Sequence, residues 1–220
     1  IILPHHFLST ITSPNFISYM GIGRSDLRID LRHTDSVAER FKEMRDYIAE
    51  DKTIARFSPL VTSQFTMLTD NGEKETISIE SGDFSIFPLD YLHGRAPEQD
   101  NEIALSYLKA KDMGRDVGDS LILLAGETPT EMTVTGIYQD VTNGGRTAKM
   151  IRPYDPENVL WYTMSLDVAS QSSIMAKQRE YSKLFPSARI TDMKSYIAQT
   201  LGNTIDQIRR VTFVAIAAGL

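Results

Sequence analysis

An α+β fold in two subdomains is expected for this 220-residue sequence, on three observations. The chain opens on a strand, helix, strand order, closes on another, and carries between them a stretch that is mostly β-prone with frequent turn residues. The order suggests one subdomain built from both chain ends and a β-rich subdomain inserted between them.

Taken in order, the elements are as follows. After Gly21 and Gly23, the stretch SDLRIDLRH places Leu27, Ile29 and Leu31 on one face, as a half-buried strand does. Ser36 and Glu39 have capping-box spacing, and Val37, Phe41, Met44 and Ile48 then recur at helical intervals, predicting a helix over 36–50. FTMLT and ETISIE flank Asp70, Asn71 and Gly72, residues that tolerate the positive φ of a tight hairpin. Pro88 and the polar PEQD segment interrupt the chain before EIALS, a buried-strand pattern, and YLKAKDMG, a short helix ending at Gly114. Gly118 and Asp119 turn the chain into the strand SLILLA, and EMTVTGIYQDV follows the GETPT turn as another strand. Asn143, Gly144 and Gly145 read as a flexible tip. VLWYTMSLD is expected as a strand, 170–185 as a helix, ARITDM as a strand, and a long helix from 194 onward closes the chain.

Both ends suggest a longer parent. Ile1, Ile2 and Leu3 lack the basic region and small-residue cleavage site of a signal peptide, so 1–20 reads as a membrane-proximal remnant. From Val211 to Leu220 the chain carries no charge, which is about half of the roughly 20 residues a bilayer crossing needs. Ile197, Leu201, Ile205 and Ile208 make an amphipathic face upstream, and Arg209 and Arg210 stand at the expected water boundary, so 194–220 reads as a helix leading into a truncated transmembrane helix. An ordinary core helix is the alternative for so short a run.

Composition excludes several functions. At 41% hydrophobic and 24% charged the chain belongs with soluble globular proteins, and a net charge of -6 without a basic cluster argues against nucleic acid. With no cysteine, disulfides, thiolate nucleophiles and Cys-type zinc sites are ruled out. Gly21, Gly23 and Asp26 lack the third glycine of a dinucleotide fingerprint and precede a strand instead of following one, so they read as a membrane-proximal turn. The sequence has no P-loop, no GxSxG elbow and no HExxH helix. Adjacent His5 and His6 would point to opposite faces of a strand, and His33 with Asp35 offers at most a two-ligand cation site beside a helix start. His93 reads as a loop histidine, Trp161 and Tyr162 as strand-packing aromatics, and the nine methionines as core filling. No catalytic, cofactor-binding or metal-ligating residue is assigned, and no cofactor is implied.

One constellation is specific. Gly94, Arg95 and Pro97 make a GRxP-type turn, Glu102 to Ser106 an E[IV]ALS-type strand and helix start, and Gly118, Asp119, Leu121 and Leu123 a GDxLxL-type strand. Val134, Thr135, Gly136 and Ile137 follow as a V-x-G-[IV] strand. In order and spacing this resembles the extracytoplasmic, MacB-like periplasmic core domain of FtsX-like and MacB-like ABC transporter permeases. The resemblance implies a porter-like subdomain over 21–89 and 155–193, a β-rich inserted subdomain over 90–154, and a place on the extracytoplasmic face of the cell membrane between two membrane helices. It further implies an ABC ATPase reached through the rest of the permease, a second copy or paired permease, and an unknown cargo or partner protein. The motif residues themselves have scaffold chemistry: Gly94 and Gly118 permit turns, Arg95 can tie a loop to a carboxylate or carbonyl, and Ser106 can cap the following helix. The function expected is therefore non-enzymatic recognition of cargo or partner, mechanically coupled to ATP hydrolysis inside the cell. A small-ligand-sensing receptor module is the alternative, and an enzyme using unlinked carboxylates a third reading.

Overall fold

The computed structural model describes residues 18–32, 35–125 and 128–199. His5, His6, His33 and the apolar run Val211–Leu220 lie outside them, as does nearly all of the terminal helix, which begins over 193–199. No helix among the described residues is long and apolar enough to cross a membrane.

The class is α+β, with one large mixed sheet. Its strands are β1 (Leu27–Arg32), β2 (Ile54–Leu68), β3 (Lys74–Gly82), β4 (Tyr91–Gly94), β5 (Glu102–Ser106), β6 (Ser120–Ala125), β7 (Thr128–Tyr138), β8 (Thr147–Met150), β9 (Val159–Val168) and β10 (Arg189–Asp192). They are ordered β10-β1-β9-β2-β3-β8-β5-β7-β4, with β6 paired to β2 and β7. Helices α1 (Val37–Glu50), α2 (Tyr107–Met113) and α3 (Ile174–Leu184) accompany them, besides the helical residues 193–199.

Helix α1 forms because Val37, Phe41, Met44 and Ile48 make one apolar stripe, and all four are buried. Burying side chains of this kind stabilises by roughly 1.5–3 kcal/mol each. The capping-box expectation is corrected: Ser36 precedes the helix with φ 60° and ψ 21°, and its side chain makes no capping hydrogen bond. A capping serine needs extended backbone to aim its oxygen at the N2 or N3 amide, and this left-handed conformation turns it away. At α2 the geometry is the ordinary one. Ser106 is extended and its Oγ accepts from the Lys109 amide at 3.3 Å, while Gly114 closes the helix at φ 62°.

The hairpin predicted at Asp70–Gly72 is present, with the Thr69 and Gly72 amides donating to the Glu73 and Thr69 carbonyls, both at 2.9 Å. Three strand segments were not expected: 54–64, which makes β2 fifteen residues long, and the short β4 and β8. His93 consequently stands in β4 and not in a loop, and Asn143–Gly145 forms a 3-10 turn where a flexible tip was expected.

Buried apolar side chains gather in two large clusters and a small third one of Leu89, Ala104 and Tyr138. The first packs α1 and α3 against β1 and β9 through Leu27, Ile29, Phe41, Met44, Met164 and Tyr181. The second joins Met67, Ile77 and Ile79 of the β2–β3 hairpin to Ile103, Leu105 and Met132. Strand β2 thus runs from one cluster into the other, with Val61 in the first and Met67 in the second.

Candidate functional site

Strand alternation gives the sheet an apolar face toward α1 and a polar face on the other side. Along that polar face runs a cleft of about 1070 Å³, from β1 across β9, β2 and β3 to β8. Its wall is built by register: Thr62 lies opposite both Trp161 and Glu80, and Glu80 lies beside Lys149 on the parallel neighbour β8.

Lys149 is the centre of this wall. The residue is 4% exposed, ion-paired with Glu80, and its ammonium lies 5.1 Å from the ring centres of both Phe84 and Tyr138. A buried cation is tolerable only when compensated, and here a carboxylate and two aromatic faces compensate it. Beside it, Thr147 donates to Asp140, so its single hydroxyl proton is committed and Tyr138 must donate to Thr147, at 2.7 Å. Burial, followed by the Asp140 charge, pushes the Tyr138 phenol well above its ordinary value, so it stays a donor. Asp140 also accepts from the Thr142 amide at 2.6 Å and the Thr142 hydroxyl at 2.7 Å.

The opposite end is wetter. Arg28 and Asp30 pair at 2.9 Å, while Asp35, Arg40 and Arg189 are exposed around partly buried Trp161. The cleft therefore offers fixed charges of both signs and an aromatic face, which suits recognition of polar, charged groups. Among the described residues no group of three or more potential ligands is arranged to hold a metal ion.

The motif residues predicted from sequence stand elsewhere. Gly94 and Gly136 face each other across β4 and β7. A Cβ on Gly94 would drive into the Thr135 carbonyl oxygen, and one on Gly136 into the Arg95 carbonyl oxygen and the Tyr91 ring. Arg95 forks onto Glu102 at 2.8 and 2.6 Å, and Glu102 also accepts from the Glu98 and Gln99 amides at 2.7 and 3.2 Å. These bonds, the guanidinium first, hold the Glu102 carboxyl at about 2, below its usual 4.5, against the opposing effect of burial. Pro97 is buried under the turn they close. Ser106 Oγ accepts from the Thr147 amide at 3.0 Å as well as capping α2, and Asp119 accepts from the Asp116 amide at 2.7 Å beside Gly118. None of the eight lines the cleft. The cleft residues Glu80, Asp140 and Lys149 were missed because each is an ordinary charge in sequence, and the TAKM strand that carries Lys149 shows no alternation that could have marked it.

The architecture is that of a MacB-like periplasmic domain. The chain is similar to the periplasmic region of MacB from Actinobacillus actinomycetemcomitans at 12% identity, covering 84% of this chain and 94% of that one, with a TM-score of 0.50. It is also similar to the extracellular domain of the ABC-type transporter YknZ from Gram-positive bacteria, at 13% identity over 75% of this chain and 98% of that one, with a TM-score of 0.47. No protein-family profile and no curated protein matches it. The resemblance carried by residues 94–137 is thus met by the fold.

Proposed function

We propose that this chain is the extracytoplasmic domain of an ABC-type permease, held at the outer face of the cell membrane, where it recognises a cargo or partner protein and couples that event to ATP hydrolysis inside. The observation that carries the reading is the fold shared with the periplasmic region of MacB over 84% of the chain. In this reading the domain is non-enzymatic, the cleft is its recognition surface, and Gly94, Arg95, Pro97, Glu102, Ser106, Gly118, Asp119 and Gly136 are scaffold. The chain divides in this reading into a porter-like part over 21–89 and 155–193 and an inserted part over 90–154, the β2–β3 hairpin of the former also packing with the latter, and a membrane helix within 194–220 relays displacement to the ATPase.

A continuous helix transmits displacement that a flexible joint absorbs. Two glycines inserted near Gly202 in the complete transporter are therefore expected to abolish stimulation of ATPase activity and transport while leaving expression intact. Undiminished stimulation in the insertion variant would refute mechanical coupling by this route.

The size of the cleft favours a second reading, a small-ligand-sensing module, because about 1070 Å³ stands at the upper limit of the roughly 300–1,000 Å³ usual for such sites. A small-molecule thermal-shift screen separates the two, since a tight ligand raises the melting temperature by mass action.

A further inference from the structure

On the other face of the sheet, β2 and β3 enclose a second cavity of about 360 Å³ together with α1 and the return segment 151–154. Alternation separates the two spaces: Thr62 and Glu80 line the cleft, and their chain neighbours Val61 and Ser81 line this pocket. The pocket sits where the two apolar clusters meet. Phe41 and Val61 belong to the first, and Met150, the register partner of Ser81, belongs to the second.

Its polar residues are unusual for an acidic chain. Lys42 and Arg45 come from α1 and Arg152 from the return segment, and the lining holds no carboxylate, although the whole chain carries -6. Arg45 pairs with its neighbour Asp46 at 2.7 Å, whereas Lys42 and Arg152 have no ion pair among the described residues. The second observation is Ser81. It is 4% exposed, and its hydroxyl is buried without any hydrogen-bond partner. An unpartnered buried hydroxyl is destabilising unless a bound group supplies its partner. Around these groups Phe41, Val61, Pro153 and Tyr154 form an apolar wall.

We propose that this pocket binds an amphipathic carboxylate: the carboxylate pairs with Lys42 and Arg152, the Ser81 side chain turns about χ1 to bring its buried hydroxyl out as a donor to it, and an apolar body lies against Phe41, Val61 and Tyr154. The site is independent of the cleft and of any role in transport. Free aromatic acids and fatty acids share this chemistry, and benzoate and octanoate serve as probes that separate them.

Titration calorimetry of the 220-residue chain at low salt is the test. One of the two probes is expected to bind with a 1:1 stoichiometry and a Kd below about 1 mM, with inorganic phosphate, which lacks the apolar body, at least about tenfold weaker. Lys42→Gln and Arg152→Gln should each weaken binding about tenfold without changing the melting temperature of the free protein. Ser81→Ala should weaken binding about tenfold yet leave the free protein equally or more stable, because it removes a buried group with no partner. That opposition of signs is not expected of a residue that only packs. Absence of heat with both probes at about 10 mM, far above the expected Kd, would overturn the site, as would wild-type affinity in Arg152→Gln and Ser81→Ala.

Discussion

Glu102 shows how a single side chain closes a turn. Two bonds from Arg95 and two backbone amides converge on one carboxylate that is itself 8% exposed. Its folded pKa, about 2, lies below the ordinary 4.5, so the stability it contributes is complete above pH 4.5 and is lost as pH falls from there toward 2. The Glu102→Gln protein should therefore melt at lower temperature near neutrality, and its melting temperature should fall less steeply than that of the wild type over this interval. A slope identical to the wild type would assign the acid sensitivity to other carboxylates. The sequence showed that Arg95 has the chemistry to hold a carboxylate or a carbonyl; which one depended on the turn at buried Pro97, which brings Glu102 back within reach. Ser36 is the converse case. Its spacing to Glu39 is that of a capping box, yet its φ of 60° removes the geometry capping requires.

Beyond the packing of Tyr47 on Tyr181 and Phe185, a polar tie joins helices α1 and α3, and it lies at the end of an element. Asp51, just after α1, accepts from the Thr53 amide and hydroxyl at 2.9 and 2.6 Å, and from Lys177 and Tyr181 of α3 at 2.9 and 2.7 Å. Burial opposes its charge, but these four donors outweigh burial and hold its carboxyl well below the usual carboxylate range. Lys177 keeps Glu180 as a second partner at 2.8 Å, while the Tyr181 hydroxyl keeps none. Asp51→Ala should destabilise by about 3 kcal/mol in urea denaturation, and a loss under about 0.5 kcal/mol would mean that the helices dock without this tie. At this scale most of the fold was legible, because α1 and the strands β1, β7 and β9 carry their own periodicity and β5 and β6 are short apolar runs between turn residues. The missed segments lack it. Pro59 and the run Ser58, Thr62, Ser63 disguise the first half of β2, and β8 has four residues, all buried, so it never alternates.

For the whole molecule, the decisive feature is that β2 passes through both clusters. Phe57 and Val61 pack with the first cluster, Phe65 and Met67 with the second, on one unbroken fifteen-residue strand. The shared strand couples the clusters, so chemical unfolding should be one transition, coincident by far-UV circular dichroism and by Trp161 fluorescence. Two resolved transitions would show that the clusters unfold separately. By itself the sequence determined the strands and helices that carry a periodic or apolar pattern, where Gly72 and Gly114 turn the chain, and the motif order that resembles a periplasmic permease domain. These depend on neighbours a few residues apart, and such neighbours are written next to one another. Only the tertiary structure decided that the strands form one sheet, that Lys149 meets Glu80 across 69 residues, and that a cleft and a pocket share two strands on opposite faces. The physical reason is register: a shift of one residue in pairing would move every one of these side chains to the other face, and pairing is set by how distant apolar faces pack together.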